Sequence, residues 1–220
     1  MLVQAHLGHQ PNAIKTGSRD DNMITKLSSA LGVIEAVVPR SGTATQAPQN
    51  GSAYAFSLTA INGLPMPLEQ FRGKALLIVN TASRCGFSCQ YKGLQQIWNR
   101  YQGSGLVVIG VPSNDFGRQE PKRESEIHHF CRNVYRVTFP LAEKTKVRGH
   151  NAHEFYRWAA DTLGEVSRPR WNFHKYLINS DGRIVAWFSP SVLPRSSRLI
   201  EAIEGALPKL APTGYPRIMK

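Results

Sequence analysis

Two unbroken apolar runs, "KALLIVNTA" at 74–82 and "GLVVIGVP" at 105–112, constrain this chain more than any other feature. Each has the length of a strand and falls far short of the roughly 20 apolar residues that a membrane span requires. An apolar run that does not alternate, bounded by turn residues, predicts a strand covered on both faces. Between the two lies "YKGLQQIWNRYQ", where Leu94, Ile97, Trp98 and Tyr101 recur at helical spacing. Strand, helix and strand in this order predict a right-handed crossover and a parallel pair.

The rest of the chain adds to this unit. "YAFSLTA" alternates like a strand and "NGLPMP" reads as a turn. "RESEIHHFCRNVY" predicts a helix with Ile127, Phe130, Cys131 and Val134 on one face, and "HEFYRWAADTLG" a helix ended by Gly164. "WNFHKYLINSDGRIVAWFSP" reads as two strands joined at Ser180-Asp181-Gly182, and "RSSRLIEAIEGALPKL" as a last helix. A parallel pair followed by a hairpin predicts a central mixed sheet flanked by helices. The fold class is therefore α/β, and a thioredoxin-like fold suits it better than a doubly wound one.

Residues 51–212 form the expected domain, with 213–220 as a short tail. Upstream, "SGTATQAPQNGSA" has the small, polar, breaker-rich composition of a linker. Residues 1–50 read as a disordered extension or a weak targeting segment; the apolar stretch after Met23 is interrupted by Glu35 and preceded by Asp20 and Asp21. A cytoplasmic location is favoured, and an exported or organellar one stays open. The formal net charge of +12 is not that of a basic tail, because residues 1–50 contribute only +1 (Lys15, Arg19, Lys26 and Arg40 against Asp20, Asp21 and Glu35). Such a field would speed encounter with anionic partners, but solubility with no dedicated partner is the favoured reading. No basic run with interleaved aromatics points to nucleic acid.

Three cysteines are too few and too irregularly spaced for a disulfide framework, and a chain of 220 residues needs none. Cys85 falls where a buried strand passes into a helix. Backbone N–H groups and the helix dipole favour a thiolate there, with the Arg84 cation alongside. Gly86 leaves room for a substrate. Cys89 follows in a C-x-x-x-C spacing.

Three blocks, in order, resemble the glutathione peroxidase family. They are "VNTASRCGF" at 79–87, "GVPSNDFGRQEP" at 110–121 and "WNFHKYLINSDGRI" at 171–184. "FCRNVYRVTFP" and "VRGHNAHEFYRWA" resemble its connecting segments, so the likeness spans about 54–210. The resemblance implies a thiol peroxidase that protects against oxidative stress. Its peroxidatic residue would be Cys85, served by Gln119, Trp171 and Asn172. It implies neither cofactor nor metal. A Cys at the position that other members fill with selenocysteine implies thioredoxin rather than glutathione as reductant, though either is compatible. The short "GEVSRPR" segment resembles that of monomeric members, and Arg168 and Arg170 within it could add positive potential near the thiolate.

The resolving thiol is less plain. Ser113 stands where the family often has a cysteine, and Cys89 where bacterial-type members carry proline. Cys131 lies in the segment associated with the resolving cysteine in thioredoxin-dependent members, and is favoured over Cys89. On one helix, residues four apart have β-carbons about 5–6 Å apart, whereas a disulfide wants roughly 3.5–4.5 Å. Cys131 would reach Cys85 only by local unfolding, which a surface helix accommodates more easily than the helix bearing the site. Two other readings are a peroxide sensor that passes oxidation to a partner, and a Sco-like copper chaperone using Cys85 and Cys89.

Overall fold

The computed structural model describes residues 51–209. The expected extension over 1–50 and tail over 213–220 lie outside the described residues. The first element is a small antiparallel pair, β1 (Ser57–Thr59) and β2 (Pro65–Pro67), in which Leu58 faces Met66 and both are buried. The sequence reading has 65–67 as a turn. The two prolines cannot donate to a ladder, but they flank the central residue of this short two-stranded edge, where that is tolerated.

The main sheet follows the expected order. β3 (Ala75–Thr81) leads into α1 (Gln90–Tyr101) and then into β4 (Leu106–Pro112), parallel to β3 in the register Ala75–Leu106 to Thr81–Pro112. Every residue of both strands is buried, as their unbroken apolar runs require. After α2 (Glu124–Tyr135) and α3 (Glu154–Leu163), β5 (Lys175–Ile178) pairs antiparallel with β3, and β6 (Ile184–Phe188) antiparallel with β5. The sheet order is β4-β3-β5-β6, a mixed sheet in the thioredoxin-like arrangement. α4 (Ser197–Ala206) packs on β5 and β6, and α1 on β4 and α2.

The β5–β6 hairpin turns through Gly182 at φ +80°, with Asn179 N–H donating to the Arg183 carbonyl at 2.9 Å. A Cβ at Gly182 would press on Ser52 and come within 2.7 Å of Tyr54. Glycine is thus required twice, for the backbone angle and for the docked N-terminal segment.

Two expectations need correction. In α2 Ile127 and Cys131 are buried and Phe130 is half-buried, but Val134 is 59% exposed. The inner position at that end is taken by Tyr135, whose ring packs on Tyr91 at 5.3 Å. The strand expected from Trp171 begins only at Lys175. The four residues before it form an irregular elbow in which Phe173 has φ +66°.

Candidate active site

Parallel β3 and β4 end on the same side of the sheet, and antiparallel β5 begins there. The loops after β3 (82–89), after β4 (113–120) and before β5 (171–174) therefore converge, although up to 91 positions separate residues that touch. Crevices beyond the carboxyl ends of parallel strands are where α/β sheets commonly place ligands.

Cys85 is the N-cap of a 3-10 turn over Gly86–Cys89 that runs directly into α1. Its sulfur accepts the Phe87 N–H at 3.4 Å, so a backbone donor faces the atom that would carry negative charge. The residue is only 4% exposed, yet a Cβ on the neighbouring exposed Gly86 would meet nothing within 4 Å. The sulfur thus lies in a wall with open space beside it. Cys89 is exposed, its thiol within 3.9 Å of the Gly86 carbonyl. Cys85 and Cys89 do not share an α-helix, because the intervening residues form the tighter 3-10 turn.

Gln119 and Asn172 meet directly: Asn172 Nδ2 donates to Gln119 Oε1 at 2.9 Å. Asn172 is fully buried, and its Oδ1 has no hydrogen-bond partner. Cys85 joins this pair through the backbone, since Arg84 N–H donates to the Gln119 carbonyl at 3.0 Å. Trp171 is 39% exposed, with its ring 6.0 Å from that of Phe116. Arg170, just before it, is exposed, whereas Arg168 is paired with Glu165.

Three residues that the sequence reading did not single out hold these loops. Asn80, buried in β3, donates through Nδ2 to the Trp171 carbonyl (3.0 Å), and its own carbonyl accepts the Phe173 N–H (2.6 Å). Glu120, fully buried, accepts both the Ser83 N–H (2.7 Å) and the Ser83 hydroxyl (2.8 Å), clamping the segment before Cys85. Burial raises its carboxyl above the ordinary value. Lys175, fully buried, donates through Nζ to the Phe173 carbonyl at 2.8 Å and steadies the elbow from below. Desolvation pushes its ammonium down to about 7. For Asn80 and Lys175 the available signal was a polar residue inside an apolar strand run, since a buried polar group requires a partner; Glu120, in the loop after β4, carried no such signal.

Cys131 is fully buried, and burial pushes its thiol up to about 11. Its helix is not a loosely held surface element. Tyr135 donates through its hydroxyl to Ser88 Oγ at 3.2 Å, and Phe130 packs edge-on against Tyr91 at 6.4 Å. Tyr91 also packs on Phe173 at 5.3 Å, so α2 is joined through one aromatic cluster to both the Cys85 turn and the elbow. All three cysteines are free thiols.

A thioredoxin-like sheet with a capped cysteine at the strand-to-helix junction defines a thiol-dependent oxidoreductase. The chain belongs to the glutathione peroxidase family and is a thiol peroxidase. The glutathione peroxidase family model matches residues 53–160. The chain is 44% identical over 153 residues to the hydroperoxy fatty acid reductase of Synechocystis sp., covering 66% of this chain and 90% of that one. It is 41% identical to the glutathione peroxidase-like peroxiredoxin of Chlamydomonas reinhardtii, over 67% of this chain and 92% of the relative. Among solved structures, T. cruzi GPX1 matches with a TM-score of 0.56 and 32% identity, over 69% of this chain and 93% of that one. A thiol:disulfide interchange protein from Chlorobium tepidum, at 15% identity and TM-score 0.54, covers 73% of this chain and 99% of its own and shares the fold alone. The family to which the chain belongs is thus one of peroxide-reducing enzymes. Among the described residues, no helix is long and apolar enough to cross a membrane.

Proposed function

We propose that Cys85 is the peroxidatic residue and that Gln119, Trp171 and Asn172 supply the donors for its reaction. The thiolate, its proton lost to solvent, attacks the terminal O–H oxygen of ROOH, the O–O bond breaks, and the departing alkoxide takes a proton from solvent to leave as ROH. Cys85 is left as a sulfenic acid. The amides of Gln119 and Asn172 and the Trp171 indole N–H are neutral donors that do not compete as bases for the proton. The observation that carries this reading is the Gln119–Asn172 hydrogen bond, tied to the Cys85 turn through Arg84. The two amides would then be preoriented before peroxide arrives.

Cys131 is the proposed resolving thiol. It condenses with the sulfenic acid, forming the Cys85–Cys131 disulfide and releasing water. α2 must first unwind locally, breaking the Tyr135–Ser88 hydrogen bond and the Phe130–Tyr91 contact. A protein dithiol of the thioredoxin class then reduces the disulfide. The peroxiredoxin name borne by the Chlamydomonas relative supports that choice over glutathione. We propose a monomer working in a reducing compartment, in keeping with three free thiols.

Turnover of hydrogen peroxide and of an alkyl hydroperoxide, with thioredoxin, its reductase and NADPH and then with glutathione, tests the scheme. Cys85→Ser should abolish turnover with either reductant, and retained activity would overturn the assignment. Peptide mapping after one equivalent of peroxide should find Cys85 linked to Cys131. A Cys85–Cys89 link would transfer the resolving role to Cys89.

A further inference from the structure

The proposed reaction leaves Cys89 unused, yet this residue lines a groove whose walls include none of Gln119, Trp171 and Asn172. The groove, of about 330 Å³, lies between the start of α1 and the loop before α4, and Cys89, Gln90, Lys92, Leu193 and Arg195 help to line it. Its volume falls at the lower end of the roughly 300–1,000 Å³ typical of small-molecule sites. Helix and loop touch directly: a Cβ at Gly93 would come within 2.9 Å of Pro194, so the glycine lets the two approach. The Cys89 thiol is free and exposed. Lys92 and Arg195 are exposed as well, and no acidic side chain lines the groove. Among the described residues the ion pairs are Arg72–Glu69, Arg100–Glu204, Arg168–Glu165 and Arg183–Asp181, and none engages either cation. Gln90 is only 3% exposed. Its Nε2 donates to the Pro190 carbonyl at 2.7 Å, while its Oε1 is buried with no hydrogen-bond partner. A buried acceptor left unpaired in the wall of a groove calls for a donor from outside the chain.

We infer that this groove is a modification site at which Cys89 exchanges with small peptidic disulfides that carry carboxylates. Two cations suit the carboxylates, Arg195 through paired hydrogen bonds and Lys92 as a point charge. A peptide N–H supplies the donor that Gln90 Oε1 lacks, and the exposed Leu193 offers apolar cover to the methylene groups beside the sulfur. The Cys89 thiolate, its proton lost to solvent, attacks one sulfur of the disulfide RS–SR. The Cys89–SR bond forms, the reagent's S–S bond breaks, and the departing RS⁻ takes a proton from solvent to leave as RSH. Cys89 is thereby oxidised to a mixed disulfide, and the other half of the reagent is reduced. The inference stands apart from the peroxidatic role of Cys85, because the oxidant is the disulfide itself.

The full chain bearing Cys85→Ser, pre-reduced and kept free of peroxide, provides the test. Mass-resolved kinetics follow the mixed disulfide at Cys89 with three reagents. Oxidised glutathione has carboxylates and peptide N–H groups, dithiodipropionic acid has carboxylates alone, and cystamine is cationic. Each rate is divided by that of the same chain unfolded in urea, which cancels the reagent's intrinsic reactivity. By this measure the folded chain should favour oxidised glutathione over cystamine about tenfold at low salt, with dithiodipropionic acid between them. The preference should shrink severalfold as salt rises to about 0.3 M. Adding K92Q/R195Q should bring the oxidised glutathione to cystamine ratio near one, while R100Q, on the separate Arg100–Glu204 pair, keeps it. Equal values for oxidised glutathione and cystamine would overturn the inference. So would a preference that ignores salt or survives K92Q/R195Q. Dithiodipropionic acid matching oxidised glutathione would overturn the peptidic class. The same series on the wild type, with the modified cysteine located by fragmenting the peptide that holds Cys85 and Cys89, decides the matter even if Cys85→Ser folds poorly.

Discussion

Lys175→Met is the perturbation whose outcome the structure specifies most fully. Lys175 lies fully buried in β5, its Nζ bound to the Phe173 carbonyl, and desolvation pushes it down to about 7 from its ordinary 10.5. In the unfolded chain the amine keeps its proton up to the ordinary value, whereas in the fold it loses it above about 7. Between these values the unfolded state binds more protons, so the wild type gains stability as pH rises through the window. The full gap corresponds to about 5 kcal/mol, at about 1.36 kcal/mol for each pH unit. About 4 kcal/mol of it should appear between roughly pH 6.5 and pH 10. Methionine has similar length and no charge, so it removes this slope. It also leaves the Phe173 carbonyl without its donor, at a cost of about 1–3 kcal/mol that does not vary with pH. Urea denaturation of both proteins across this range, followed by tryptophan fluorescence, gives the difference, and thiol titrations common to both cancel. The wild type should gain on the variant by about 4 kcal/mol from the acid to the alkaline end. A difference flat to within about 1 kcal/mol would refute the reasoning, because it would mean the ammonium keeps water or an anion beside it. The variant should also oxidise more slowly, since the Phe173 elbow carries Trp171 and Asn172.

Two further outcomes follow from burial. In the reduced protein, alkylation by iodoacetamide near neutral pH should label Cys89 first and Cys131 last, because Cys89 is exposed while Cys131 is buried and holds its proton up to about 11. Mass-resolved kinetics with Cys131 labelled early would mean that α2 opens without oxidation. Glu120→Gln should destabilise the fold by about 1–3 kcal/mol, because a single amide oxygen replaces the two that receive the Ser83 donors. Since burial raises the Glu120 carboxyl, the wild type should lose stability as pH rises through the range just above the ordinary carboxyl value, and the variant should lack that slope. Denaturation midpoints between about pH 4 and 7 read both effects.

Much of this architecture was legible in the chain. The runs at 75–81 and 106–112 have strand length, β-branched residues and flanking glycines, which favour strands covered on both faces over a buried helix, and the helix between them implied their parallel sense. From there the convergence of the 82–89, 113–120 and 171–174 loops follows from strand direction alone. The paired Gln119 and Asn172 came instead from the family resemblance, since taken singly neither residue differs from an ordinary loop amide. The face assigned to Val134 failed because helical spacing does not say which neighbour will fill the far end of a groove, and Tyr135 fills it.

The elbow before β5 was hidden for a deeper reason. Left-handed backbone is normally signalled by glycine or asparagine, whereas here it falls on Phe173, a bulky residue for which it costs about 1–2 kcal/mol. Most of what offsets that cost is distant in sequence. The compensation comes from Asn80 on β3, from Lys175 below and from the Tyr91 ring packed on Phe173. Tyr91 belongs to the helix that Cys85 opens, and its ring also meets Phe130 and Tyr135 of the Cys131 helix. The same aromatic cluster therefore holds the elbow in its strained form and keeps α2 closed over Cys131. Releasing Cys131 toward Cys85 would loosen the support of Trp171 and Asn172, so resolution and peroxide attack would be favoured by opposite states of one cluster. On that coupling, the proposed redox pair is Cys85 with the buried thiol behind Tyr91, and the exposed Cys89 four residues on would stand outside it.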